Sequence, residues 1–74
     1  MVTRDQLVDL DFCCANNPNE YFYDSWEYMF VFSQQSLYFI NDGVGEEEFI
    51  AKIRNVDHLV EVLNSLGYEV ELNK

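Results

Sequence analysis

The sequence predicts one α+β domain over residues 1–74, in which an antiparallel sheet of three to five strands is flanked by an N-terminal and a C-terminal helix. Nine of the twelve aromatic residues lie between Tyr21 and Ile40. Aromatic and β-branched side chains suit a pleated, half-buried surface, so this segment predicts the sheet. Two residues typical of helix N-caps, Thr3 and Asn55, stand on either side of it.

The first helix is predicted from Val2 to Leu10. Thr3 is its N-cap, and Gln6 follows three residues later, as in a capping box. Val2 and Leu7 occupy the two positions of a hydrophobic staple, which fixes the angle at which the chain enters the helix. Because so short a helix is not stable alone, we expect it to pack on the sheet.

The aromatic segment predicts three strands: Glu20–Tyr23, Trp26–Phe32 and Leu37–Asn41. A tight turn at Asp24–Ser25 joins the first two strands, and a four-residue loop at Ser33–Ser36 joins the second to the third. Residues 13–19 contain the turn-forming sequence Asn-Asn-Pro-Asn, which predicts a loop before the first strand.

Residues 46–53 are ambiguous, although their alternation favours a fourth strand. Phe49, Ala51 and Ile53 would share one face of it. A last short strand is predicted from Tyr68 to Leu72, since apolar residues alternate there with glutamates.

The second helix is predicted from Val56 to Leu66, with Asn55 as its N-cap. Gly67 suits the left-handed position that follows a helix, and Tyr68 would make the hydrophobic contact that closes this end. The expected buried stripe is formed by Leu59, by Val62 or Leu63, and by Leu66.

The central strands are apolar on both faces, whereas a strand with one face in water alternates apolar with polar residues. Both faces therefore need cover, and two short helices could cover one face each or share a single face. If they share one, an apolar patch remains on the other face, and this patch would suit a homodimer contact. Its candidate residues are Met29, Val31, Tyr38 and Ile40.

Charge narrows the range of partners. Fourteen acidic residues oppose four basic ones, so the formal net charge is −10. Direct binding to nucleic acid or to anionic membranes is disfavoured, because both need clustered Lys and Arg. A basic protein partner is favoured, and the alternative is that acidity serves solubility alone. The candidate partner-binding residues are Asp5, Asp9, Glu46, Glu47, Glu48, Glu69 and Glu71.

The sequence offers no catalytic or metal-binding signature. His58 is the only histidine, and no nucleophile stands in a recognisable motif around it. Cys13 and Cys14 are adjacent, which suits neither a zinc site nor a disulfide framework, and buried or half-buried structural thiols are expected instead. We therefore expect a protein without cofactor that is not an enzyme. Because no apolar run approaches the ~20 residues of a membrane span, we also expect it to be cytoplasmic.

Three segments together resemble small acidic proteins of phages and mobile elements: residues 3–12, the tyrosine-rich strands, and residues 55–68 ending in Leu66-Gly67-Tyr68. Such proteins often have Leu-Gly-Phe after the first helix, where this chain has Leu-Asp-Phe. The resemblance implies a setting in which short acidic proteins inhibit host proteins, sometimes by mimicking nucleic acid. The expected function is thus an inhibitor or modulator of a basic, nucleic-acid-binding protein. A self-associating structural module is the alternative, and a small enzyme is less favoured.

Overall fold

The computed structural model describes residues 1–14, 16–41 and 45–71. Its elements, in chain order, are α1 (Arg4–Asp9), β1 (Cys13–Cys14), β2 (Glu20–Tyr23), β3 (Tyr28–Val31), β4 (Ser36–Asn41), β5 (Glu46–Lys52) and α2 (Val56–Ser65). Each strand pairs antiparallel with the next, so the order of the strands in the sheet is their order in the chain. The predicted α+β class is confirmed.

The start of α1 follows the predicted capping box. The Thr3 hydroxyl accepts a hydrogen bond from the backbone N–H of Gln6 at 3.2 Å, and the Gln6 side chain accepts one from the backbone N–H of Thr3 at 2.9 Å. Val2 and Leu7, the staple pair, are both fully buried. The helix ends slightly earlier than predicted, because Leu10 is its C-cap and Asp11 turns the chain with a φ of 69°.

The core is centred on a cross-strand row. Phe30 of β3 pairs with Tyr21 of β2 on one side and with Leu37 of β4 on the other, and all three side chains are buried. Leu7 of α1 and Leu63 of α2 belong to the same buried cluster as this row. Because side chains alternate between the faces of a strand, both helices pack on one face of the sheet. No helix of the described residues covers the other face.

The first edge of the sheet differs from the prediction. Cys13 and Cys14 are not in a loop but pair with Phe22 and Tyr21 of β2 as a two-residue strand. Two residue pairs suffice to form this strand. It could not be predicted from a pattern of buried side chains, because both cysteines are exposed.

The predicted last strand is absent between Tyr68 and Glu71, and Leu72 lies outside the described residues. The backbone of this segment instead forms hydrogen bonds with a side chain of α2. Asn64 accepts a hydrogen bond from the N–H of Val70 at 2.8 Å and donates one to the Val70 carbonyl at 3.2 Å. Asn64 therefore satisfies both hydrogen-bonding groups of the Val70 backbone. In a strand, a neighbouring strand would have this role.

The β2–β3 connection is longer than the predicted two-residue turn. Asp24, Ser25 and Trp26 have φ values of 55°, 54° and 74°, and β3 begins only at Tyr28. A left-handed backbone costs a non-glycine residue roughly 1–2 kcal/mol, so three in succession are unusual. The prediction that a strand begins at Trp26 is wrong for this reason.

Strand β5 confirms the prediction for residues 46–53, but its alternation is broken. Ala51 pairs with Leu37, whereas Phe49 pairs with the next residue of β4, Tyr38, so Ile50 is an extra residue in a β-bulge. Ala51 faces the core and Phe49 faces the other side, where it is 60% exposed. The expectation that Phe49 and Ala51 share a face is therefore wrong.

The side chain of Gln35 holds three parts of the chain together. Its Oε1 accepts a hydrogen bond from the N–H of Val2 at 2.6 Å, and its Nε2 donates to the carbonyls of Val2 and Phe32 at 3.2 and 2.9 Å. Its backbone carbonyl accepts from the N–H of Ile53 at 2.7 Å. The N-terminal segment, the β3–β4 loop and the end of β5 therefore meet at one residue.

Helix α2 begins and ends as predicted to within one residue. The Asn55 side chain accepts from the N–H of His58 at 2.9 Å. At the other end, the N–H of Tyr68 donates to the carbonyl of Leu63 and that of Gly67 to the carbonyl of Asn64, which together form a Schellman motif. Gly67 supplies the positive φ, 103°, that this end requires.

The buried stripe of α2 is rotated from the predicted one. Leu59 and Leu63 are fully buried, and Val56 and Val60 pack beside them. The stripe is centred between these four, which leaves Leu66 to one side of it and exposed. No helix in the described ranges is long and apolar enough to cross a membrane.

Phe30→Ala should destabilise the domain by about 3–5 kcal/mol, because it empties the centre of the core. Phe49→Ala is the matched control and should cost about 1 kcal/mol or less, since this ring lies on the exposed face. Chemical denaturation of both variants checks the difference. Equal losses would mean that the core is not centred on Phe30.

Candidate functional site

The structure brings together only some of the acidic residues predicted to bind a partner. Asp9, Glu69 and Glu71 line a groove of about 170 Å³ with Asp11, which the sequence prediction did not include. Asp5 and the three glutamates at the start of β5 do not line this groove. The predicted acidic surface is therefore divided, and one part of it is concave.

Local backbone geometry explains why these acids meet. Asp9 is the last residue of α1, and the positive φ of Asp11 directs the chain from there into β1. Glu69 and Glu71 flank Val70, whose backbone is held by Asn64. Two chain segments that are far apart in sequence are thus fixed next to each other.

A second, larger groove adjoins the first. It has a volume of about 490 Å³ and is lined by Asp11, Cys13, Phe22, Tyr23, Asp24, Ser25, Trp26 and Tyr68. Asp11 and Tyr23 line both grooves, and we call the two together the acidic groove. Its five carboxylates are those of Asp9, Asp11, Asp24, Glu69 and Glu71, and no Lys or Arg of the described residues lines it.

Two tyrosines form the wall where the grooves meet. The hydroxyl of Tyr68 donates a hydrogen bond to Oδ2 of Asp24 at 2.5 Å, and the ring of Tyr68 packs edge-on against that of Tyr23 at 5.1 Å. Burial, followed by this hydrogen bond, raises the pKa of Tyr68 above its ordinary value. Burial and the charges of Asp11 and Asp24 raise the pKa of Tyr23. Both phenols are therefore neutral near pH 7, and the charge of the groove is that of its carboxylates.

The uncovered face of the sheet carries a row of large side chains. Phe22, Met29, Tyr38 and Phe49 are successive cross-strand partners from β2 to β5. The Trp26 ring packs against that of Phe22, with 4.3 Å between the centroids and a tilt of 44° between the planes. We call these five residues the aromatic row. Its two ends are the most exposed, with Trp26 at 57% and Phe49 at 60%.

The aromatic row and the predicted dimer face consist of partly different residues. Met29 and Val31 are on the expected face, but they are already buried within the chain, with Met29 only 3% exposed. Tyr38 and Ile40 are half-buried. The larger apolar surfaces belong to Trp26 and Phe49, which the prediction did not include. It placed Trp26 in a strand, and Phe49 on the same face as Ala51.

His58, Cys13 and Cys14 were also considered for catalysis or metal binding. Nδ1 of His58 accepts a hydrogen bond from the backbone N–H of Arg54 at 3.1 Å, so this ring helps to cap α2. Cys13 and Cys14 are exposed because β1 is an edge strand, whereas buried or half-buried thiols were expected. Within residues 1–14, 16–41 and 45–71, no three His, Cys, Asp or Glu side chains are grouped as metal ligands would be.

In comparisons with protein-family models, with curated proteins and with solved structures, the chain has no significant match. Its resemblance to small phage proteins therefore stays a prediction. What the chain binds has to be inferred from the acidic groove and the aromatic row.

Proposed function

We propose that this protein is a non-enzymatic module that binds a basic segment of another protein in the acidic groove. One observation supports the proposal above all: five carboxylates line adjoining concavities, and no basic side chain of the described residues offsets them there. A segment rich in Lys and Arg is complementary to such a groove in charge, and an extended chain is complementary to its shape.

The net charge of −10 acts at longer range. It attracts a basic partner before contact and so raises the association rate, an effect that salt weakens. Individual exposed ion pairs contribute only about 0–1 kcal/mol each. Several carboxylates in one groove, together with apolar contacts, are therefore needed for a stable complex.

The most suitable partner is a nucleic-acid-binding protein, because its Lys and Arg side chains are arranged to contact phosphates. A groove that occupies those side chains competes with nucleic acid. We therefore propose that the protein is an inhibitor or modulator of such a partner in the cytoplasm. A phage or mobile element is a suitable source, as the resemblance of the sequence implies.

Neutralising the acidic groove should weaken binding of a basic probe more than neutralising the same number of charges elsewhere. In one variant, Asp11→Asn, Glu69→Gln and Glu71→Gln are combined; Asn tolerates the positive φ of Asp11. In the matched control, Glu46, Glu47 and Glu48 are changed to Gln. With an octalysine peptide at low salt, we expect a loss of about tenfold or more in affinity for the first variant and about threefold or less for the second.

Calorimetry of both variants at several salt concentrations measures this difference, and circular dichroism controls for folding. Equal losses would show that only net charge matters, and would contradict binding in the groove. A larger loss in the control would mean that the glutamates of β5 form the binding surface.

Self-association through the aromatic row is the second candidate function. It is favoured by the exposed rings of Trp26 and Phe49 on a sheet face that no described helix covers. Exposed apolar patches of large side chains are typical of contact surfaces. The charge of −10 on each copy opposes this association, and the burial of Met29 leaves less apolar area for it.

Sedimentation velocity distinguishes the two candidates. Self-association predicts a dimer that persists at high salt, since apolar contacts are not screened, and that is lost when Trp26 and Phe49 are both changed to Ser. A chain that remains a monomer at about 1 mM, where even ~4 kcal/mol of association would be visible, would remove the second candidate.

A further inference from the structure

We infer that the wide end of the acidic groove takes an arginine side chain of the basic partner. The wide end is the part of about 490 Å³ whose lining includes Asp11, Phe22, Tyr23, Asp24, Trp26 and Tyr68. The inference rests on the proposed function and specifies it, because it names the residue type that would anchor the partner.

The chemistry of the walls favours a planar cation. Four aromatic side chains and two carboxylates, Asp11 and Asp24, line about 490 Å³ of space. Aromatic faces attract cations, and a carboxylate binds a guanidinium through two parallel hydrogen bonds. A neutral apolar ligand would leave the carboxylates without a partner, and an anion would be repelled by them.

Arginine fits this combination better than lysine does. Its guanidinium stacks flat on an aromatic ring while its edge donates to a carboxylate, whereas an ammonium is a compact, strongly hydrated point charge. The chain itself contains such a stack elsewhere, since Cζ of Arg4 lies 4.2 Å from the centroid of the Phe32 ring.

The backbone places Trp26 at this position. Three consecutive left-handed residues, from Asp24 to Trp26, keep the indole out of β3. The ring then packs at a tilt against Phe22, with 4.3 Å between the centroids, and 57% of the residue is still exposed. An aromatic side chain is thus held beside the groove with much of its surface available for a ligand.

Asp24 is positioned by the opposite wall. Its Oδ2 accepts the hydrogen bond of Tyr68, which joins this carboxylate to the segment that follows α2. Asp24 and Trp26 therefore lie on the same turn, two residues apart.

Three peptides test the inference directly. Each has a central residue flanked by glycines and then by lysines, and the central residue is arginine, lysine or the neutral isostere citrulline. Trp26 is the only tryptophan, so its fluorescence reports on the wide end of the groove. We expect the arginine peptide to bind about tenfold more tightly than the citrulline peptide and about threefold more tightly than the lysine peptide, with a change in Trp26 emission.

Two further variants separate the wide end from general charge. Asp24→Asn should remove the preference for arginine over lysine, and Asn tolerates the positive φ of this position. Glu47→Gln is the control of equal charge, lies on β5 outside the groove, and should keep the preference. Trp26→Leu, measured by calorimetry, should also remove it.

Equal affinity for the arginine and lysine peptides, or an unchanged Trp26 emission at saturation, would overturn the inference. An arginine preference that survives in both Asp24→Asn and Trp26→Leu would overturn it too. In any of these cases, the variant that combines Asp11→Asn, Glu69→Gln and Glu71→Gln decides about the proposed function. If its affinity for octalysine is still reduced about tenfold, the proposed function stands and only the arginine site is wrong. If it is not, both are wrong.

Discussion

The burial of Phe30 between Tyr21 and Leu37 is the packing constraint on which the rest of this structure depends. A chain of 74 residues has few side chains with which to build a core. Both helices therefore contribute their leucines to the same face of the sheet, around this row. The consequence is an asymmetric molecule. One face is closed by two helices, whereas no helix of the described residues covers the other.

The acidic groove is a consequence of this asymmetry at one end of the core. Helix α1 ends at Asp9, the segment after α2 is held by Asn64, and the β2–β3 turn carries Asp24 and Trp26. Residues of these connections line the same two adjoining concavities. Binding residues on connections that a rigid sheet positions are common in proteins.

The sequence was sufficient for what local rules determine. The capping box at Thr3, the Schellman motif at Gly67 and the burial of Phe30 each follow from residue types within a few positions. Features that depend on distant residues were not predictable. The hydrogen bonds between Gln35 and Val2 join residues 33 positions apart, and the left-handed turn at Asp24–Trp26 contains no glycine that would indicate it. The acidic groove belongs to this second kind, since Asp11 meets Glu69 and Glu71 only in the folded chain.

Mapping of an octalysine peptide by NMR chemical shifts, on ¹⁵N-labelled protein, tests the central claim most directly. The account predicts that the largest shift changes occur around Asp11, Tyr23 and Glu69 and at the Trp26 indole N–H, and that they saturate together with a single affinity. Small changes spread over all acidic residues would show that the peptide follows net charge alone. Changes concentrated on β5 or on the Tyr38 end of the aromatic row would contradict the groove as the binding surface.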